Sequence, residues 1–176
     1  KENPNKIFIY FSTCSIYDSS KNGSSYVNHK LKMEQIVEEL ANQFLILRVS
    51  NAVGKGGNPN LLMNYLVNAF HQEKEITVHT LATRNLIDAD DVKNITLKFI
   101  NENSFNKIIN VAYLENFSTI QILEILEKHF NKTAKTSLVK SGQSYLISIP
   151  EAEAYFAENK LTEKKEYLLR IIKRYY

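Results

Sequence analysis

The sequence predicts an α/β fold with a largely parallel sheet, and three observations predict it. Apolar, β-branched runs of strand length recur at residues 6–12, 44–49 and 107–112. Stretches with helical spacing lie between them, at 26–41, 61–71 and from about 90 to 101. Strand, helix, strand is the order of a parallel sheet, because parallel neighbours need a crossover that brings the chain back to the same end. No period of about 20 to 50 residues recurs, so a repeat architecture is excluded.

In chain order, residues 6–12 (KIFIYFS) are the first strand, apolar from residue 7 onward as a central strand would be. Residues 18–25 (DSSKNGSS) are a loop by composition. The helix at 26–41 sets Val27, Leu31, Ile36, Val37 and Leu40 roughly on one stripe. The second strand is 44–49 (FLILRV), and a Gly/Pro/Asn loop at 54–60 (GKGGNPN) leads into the helix at 61–71. A short strand is expected at 75–79. Asp90 is placed to cap the next helix, and 107–112 (KIINVA) is the third buried strand. Ser118 and Gln121 make a capping box for a helix ending near Phe130. Residues 138–140 and 145–149 read as short strands, and Thr162 is placed to cap the last helix. On that helix Lys164, Lys165, Arg170, Lys173 and Arg174 read as a solvated face, with cations favourable near its C-terminal end. Its Leu168, Leu169, Ile171 and Ile172 should pack on the domain.

Composition narrows the function. With 44% apolar and 23% charged residues, the 176-residue chain has globular composition and enough material for a core. A net charge of +3 suits an anionic small molecule and is too weak and scattered to indicate nucleic acid. Cys14 is the single cysteine, so no disulfide forms within the chain, which fits a reducing compartment and makes the cytoplasm the expected location. The longest apolar run, Ile7 to Phe11, is far too short for a bilayer, and no membrane partner is expected. No signal-peptide pattern opens the sequence. No metal ligands are assigned.

The sharpest chemical signal is Tyr26-x-x-x-Lys30 at the start of a helix. A spacing of four puts both side chains on one helical face. An ammonium beside a phenol favours the phenolate, which then shuttles a proton at working pH. The sequence holds a second such pair, Tyr17 and Lys21, which falls in a loop instead. Ser12 and Thr13 close the first strand, where open α/β sheets place ligands. The Thr13 hydroxyl either faces a substrate oxygen or turns back onto the backbone.

Taken in order, Phe11-Ser12-Thr13-Cys14-Ser15-Ile16-Tyr17 followed by Tyr26-x-x-x-Lys30 resembles the extended short-chain dehydrogenase/reductase superfamily, which includes UDP-galactose 4-epimerase. Leu47-Arg48-Val49-Ser50-Asn51-Ala52-Val53-Gly54 is similar to that family's Leu-Arg-x-x-Asn-x-x-Gly. The segment from Thr83 through Asp90-Asp91-Val92 is similar to its Arg-Asp-Phe-Ile-x-Val-Asp-Asp-Val, and Ile109-Asn110-Val111 with Ser118 to its Tyr-Asn-Val-Gly…Ser-x-x-Glu.

The resemblance implies an incomplete Rossmann-like parallel sheet with helices and a small C-terminal substrate-binding α/β subdomain. Residues 1–50 would be the C-terminal part of the dinucleotide-binding domain. Residues 51–176 would be the substrate-binding region, interleaved with the last Rossmann elements at about 90–112. It implies an NAD- or NADP-dependent epimerase or 4-keto reductase acting on a nucleotide-diphosphate sugar, and a homodimer as a further expectation. Tyr26 would be the acid/base. Lys30 would support it and hold the nicotinamide ribose, and Thr13 would orient the substrate hydroxyl or carbonyl. Asn51 would contact the sugar or its phosphate, and Arg84 the diphosphate, unless Arg84 is a surface ion-pairing residue. Lys55 is a further phosphate candidate.

Departures matter as well. None of the five glycines makes the family's Gly-x-x-Gly-x-x-Gly cofactor loop, so about a hundred upstream residues are expected to be missing and the chain to be inactive alone. Cys14-Ser15 stand where 4,6-dehydratases carry Asp-Glu, which favours epimerase or reductase. Cys14 itself reads as a small filler, and His29 as solvent-facing. A catalytically silent relative and a non-enzymatic α/β binding or assembly module stay open as alternatives.

Overall fold

The computed structural model describes residues 6–176. Residues 1–5 of the expected dinucleotide-binding piece therefore lie outside it. β1 (Ile7–Thr13), α1 (Ser25–Leu40) and β2 (Gln43–Val49) form a β–α–β unit. β1 and β2 pair in parallel from Ile7 against Gln43 to Thr13 against Val49. β7 (Lys107–Val111) lies parallel on the other side of β2, with Leu45 opposite Lys107 and Val49 opposite Val111.

The centre of this sheet is β2, whose Leu45, Ile46 and Leu47 are fully buried. Among the described residues β1 is an edge strand, and its Phe8 and Phe11 are half exposed.

Between β2 and β7 the chain makes β3 (Asn51–Val53), α2 (Leu62–His71), β4 (Ile76–His79), β5 (Thr83–Arg84), β6 (Leu86–Asp88) and α3 (Ala89–Asn101). After β7 come β8 (Phe117–Ser118), α4 (Thr119–Phe130), β9 (Thr136–Val139), α5 (Pro150–Glu158) and α6 (Lys164–Tyr175). These strands pair locally: β3 with β6 and β4 with β9 in parallel, β5 with β8 antiparallel. Four of them are two or three residues long, too short for period-two alternation to register in the sequence.

The Ser118–Gln121 capping box forms as expected. The cap of α3 is Asp88 and not Asp90: the Asp88 carboxylate accepts the Asp90 N–H at 2.9 Å. Asp90 sits in the first turn, where negative charge is favoured by the helix dipole. Thr162 does not cap α6; Glu163 occupies the N-cap position without a side-chain bond. Helix α5 was not anticipated, although Pro150 at its first turn, followed by Glu151 and Glu153, is a helix-start signature. The strand expected at 145–149 is irregular chain, with Leu146 88% exposed.

One continuous core joins both ends of the chain, from Leu45 and Leu47 to Leu168 and Ile172. Tyr113 stacks on Tyr167 with centroids 3.8 Å apart, and Phe156 meets both edge-on. Beside this stack, Lys165, Lys173 and Arg174 of α6 are exposed as expected, while Arg170 and Arg174 also enter an ion-pair seam. Asp88 and Asp91 are buried, and Arg170 reaches both. Arg174 pairs with Asp90 and lies 3.6 Å from Asp88. Tyr155 and Tyr167 each donate to Asp91 at 2.8 Å, and Tyr175 donates to Asp88 at 2.6 Å. Burial, helped by the carboxylate partner, pushes the Tyr155 and Tyr175 phenols up to about 12, so all three remain donors. A basic helix reads as solvated from sequence because its partners sit about eighty residues earlier.

Tyr167 both donates to Asp91 and accepts from the Asp88 N–H at 3.0 Å. Tyr167→Phe leaves both partners short, and should destabilise the fold by about 1–3 kcal/mol. Urea unfolding checks this; the midpoint should fall while the slope stays fixed.

Candidate active site

The site begins at the C-terminal end of β1. There the chain turns into two short 3-10 turns, Cys14–Tyr17 and Ser19–Lys21, before α1 starts under a Ser24 cap. The Thr13 hydroxyl oxygen accepts the Ser15 N–H at 3.1 Å, so it does turn back onto the backbone. Its own hydrogen is still available for donation. Thr13 is buried at one wall of a cavity of about 370 Å³, and Tyr26 lines the same cavity with its ring 54% exposed.

Lys30 stands one turn beyond Tyr26. Its ammonium is 5.9 Å from the Tyr26 ring centroid and 4.9 Å from that of Tyr10, and donates to the Phe11 carbonyl at 2.8 Å. That single bond leaves two of its three N–H donors unengaged among the described residues. The second Tyr-x-x-x-Lys pair is structural. The Tyr17 hydroxyl donates to Asn110 at 2.9 Å and accepts from Arg48 at 3.3 Å, while Lys21 is exposed on a 3-10 turn.

What holds this end of the site is a residue not singled out from sequence. Glu34, two turns after Tyr26 on the same face of α1, is buried. It accepts from Ser12 Oγ at 2.5 Å and takes Arg48 through both Nε and Nη2, the latter at 2.6 Å. The hydrogen bond and charge of Glu34 raise the Arg48 guanidinium further above its usual range. A glutamate at position i+8 from Tyr26 could have been recognised, since it falls where the helix stripe otherwise requires an apolar side chain. In its place, the expected stripe members Leu31 and Leu40 are exposed.

Of the other expected residues, Asn51 lines the cavity and donates to the Asn85 carbonyl at 2.8 Å, which leaves its own side-chain carbonyl free to accept. Gly54 also lines it, because a Cβ there would meet Ala89 Cβ at 2.9 Å. Lys55 is exposed and does not line the cavity. Neither does Arg84. Its Nη1 donates to the Thr83 and Gln143 carbonyls, and its charge is felt by Tyr145, which does line the cavity. The structure thus brings together Thr13, Tyr26 and Asn51, with Lys30 beside Tyr26, and leaves Arg84 outside the lining. Asn85, also not anticipated, is a buried latch: it exchanges bonds with the Tyr113 backbone and accepts from Ser50. Tyr145 and Tyr176 line the cavity as well.

Cys14 is buried and donates to the Arg48 carbonyl at 2.9 Å. Burial pushes its thiol up to about 12 against the opposing Arg48 charge. This agrees with a filler and not a nucleophile. His29 is exposed, as read. Among the described residues no cluster of three or more His, Cys, Asp or Glu could hold a metal ion. Nor, among the described residues, is any helix long and apolar enough to cross a membrane.

Comparison with known proteins supplies a frame for this geometry. The model of the NAD dependent epimerase/dehydratase family matches residues 1–112, more than half of the chain. No curated protein matches the sequence. Among solved structures, the UDP-glucuronic acid 4-epimerase of Bacillus cereus, in complex with UDP-glucuronic acid and NAD, is 21% identical with a TM-score of 0.71, over 94% of this chain and 62% of its own. The dTDP-glucose 4,6-dehydratase of Bacillus anthracis, in complex with NAD, is 15% identical with a TM-score of 0.72, over 99% and 65%. RMD of Pseudomonas aeruginosa, complexed with NADPH, is 14% identical with a TM-score of 0.68, over 94% and 66%. The chain therefore spans 62% of the length of the B. cereus enzyme, and the likeness establishes the Rossmann-like fold.

Two outcomes follow from the local geometry. Glu34→Ala leaves Arg48 uncompensated and frees Ser12, and should destabilise by about 3 kcal/mol in urea unfolding. Cys14 should react with iodoacetamide at pH 8 on the order of 10³-fold more slowly in the folded protein than after unfolding, because so little thiolate is present.

Proposed function

Since the chain belongs to the NAD dependent epimerase/dehydratase family, we propose that it forms the proton-transfer and substrate-binding part of an epimerase or 4-keto reductase acting on a nucleotide-diphosphate sugar. The observation that carries this is the shared cavity of Thr13, Tyr26 and Asn51, with the Lys30 ammonium one turn beyond Tyr26.

The residues fit the cofactor the family implies, whether NAD or NADP. Lys30 has donors left for a ribose diol, beside a phenol open to the cavity. When bound, the nicotinamide takes up and returns hydride at a sugar carbon. Tyr26 moves the proton at the sugar oxygen on that carbon, and the Thr13 hydrogen is placed to steady the same oxygen. Asn51 accepts from a sugar hydroxyl through its side-chain carbonyl. Arg84, with Nε and Nη2 not engaged among the described residues, is the residue we assign to the diphosphate. Residue 14 contributes no acid for water elimination, since Cys14 is buried and held to Arg48, and this favours epimerisation or reduction over dehydration.

In this reading residues 1–50 and about 90–112 serve the cofactor side, and the rest of 51–176 the substrate side. The 176 residues by themselves should be inactive, because they hold no Gly-rich loop for the cofactor pyrophosphate.

In the full-length protein, Tyr26→Phe should lower kcat by at least about 10²-fold with little change in KM. Steady-state turnover of UDP-sugars with NAD(H) or NADP(H) measures it, and near-wild-type turnover would overturn the assignment.

A further inference from the structure

Part of the cavity lining is made by residues that no family motif in this sequence includes. Tyr176 follows α6, its N–H bonded to the Ile172 carbonyl at 3.0 Å, and its side chain lines the cavity. The Tyr176 hydroxyl donates to Asn64 Oδ1 at 2.6 Å. Asn64 lies on the first turn of α2 and spends its other atom on the preceding loop: Nδ2 donates to the Asn58 carbonyl at 3.0 Å and to Gly56 at 3.3 Å. Gly56 lines the same cavity with φ +76, a conformation that L side chains rarely adopt.

A continuous path therefore runs from the buried Asp88/Asp91 seam, along α6, through Tyr176 and Asn64, to the loop at 54–60. Apart from Asn64, that loop is held by its own turns, such as the Asn58 side chain accepting the Asn60 N–H at 2.9 Å. Burial raises the Tyr176 phenol, which keeps it a donor.

We propose that Tyr176 and Asn64 form a clasp that fixes the 54–60 loop against the cavity, making Tyr176 a positioning residue for ligand binding. This deepens the reading of the cavity as a nucleotide-sugar site and rests on it for the ligand. The bonds of the clasp go to the 54–60 loop and none to Tyr26 or Thr13, so it governs affinity and not the proton-transfer step.

The test uses the full-length protein and two readouts. The first is amide hydrogen exchange of peptides covering 54–60, and the second is titration with UDP alongside steady-state kinetics. Tyr176→Phe keeps the ring and removes the hydroxyl. Loop exchange should rise by about 2- to 10-fold and UDP affinity should fall by a similar factor, as expected for one lost hydrogen bond. KM should rise with kcat unchanged. In an Asn64→Leu background, Tyr176→Phe should add nothing further to either quantity.

Unchanged loop exchange in Tyr176→Phe overturns the clasp, as does an additional effect in the Asn64→Leu background. A lower kcat at unchanged KM also overturns it, by placing Tyr176 in the chemistry. A wild-type protein that does not bind UDP overturns the nucleotide-sugar reading instead, and the exchange experiment then decides the clasp alone.

Discussion

The buried Glu34–Arg48 pair is the constraint on which the candidate site depends. It ties three elements at one point: α1 through Glu34, β2 through Arg48, and β1 through Ser12. Lys30 and Tyr26 are one and two turns upstream on the same helix face, and Thr13 is the residue after Ser12. Rotating α1 by one residue, about 100°, would put Met33 or Gln35 in the place of Glu34 and remove the phenol from the cavity. An apolar residue at 34 would pack as well, but it would not define the rotation of the helix so narrowly. A buried bidentate ion pair has only one geometry in which its desolvation is offset. Arg48 extends the lock by donating to Tyr17, which in turn holds Asn110 on β7.

The second half is ordered by an analogous device. Asp88 ends β6 and caps α3, while Asp91 sits one turn inside that helix. Together they gather Arg170, Arg174 and three phenols from α5 and α6. Asp88 Oδ2 has no hydrogen bond in this arrangement, and its nearest cations are 3.5 and 3.6 Å away. The seam is thus held more by opposite charge than by a full set of bonds. It fixes where α6 ends, and hence where the Tyr176 ring enters the cavity wall.

The long strands β1, β2 and β7 and the helices α1 to α4 were legible, because each carries a periodic apolar pattern or a cap that acts locally. The grouping of Thr13, Tyr26 and Lys30 was legible too, since they lie within eighteen positions and the spacing itself places the last two on one face. Two of the misplaced features share one cause. The ion pairs of α6 and the burial of Glu34 each depend on a partner distant in sequence, whereas the shift of the α3 cap from Asp90 to Asp88 is local. A carboxylate reads as solvated until the arginine that compensates it is known. The irregular chain at 145–149 is the converse: its apolar, β-branched composition suits a strand, but no strand is placed beside it among the described residues.

The placement of the residues separates chemistry from recognition. The groups proposed for proton transfer sit on β1 and α1, beside Glu34 and Arg48, and none of them comes from beyond residue 30. The surfaces that would meet a sugar and its diphosphate come from elsewhere: Asn51 on β3, the 54–60 loop, Arg84 on β5, Tyr145 and Tyr176. Most of these are loop or strand-end positions, whose side chains can change without disturbing a buried ion pair. A loop lengthened by a residue would alter the cavity lining, while the position of Tyr26 relative to Thr13 would stay as β1, β2 and α1 define it. Substrate preference can therefore vary in this architecture while the acid/base geometry is conserved by packing alone, which is the physical reason one proton-transfer unit can serve many sugars.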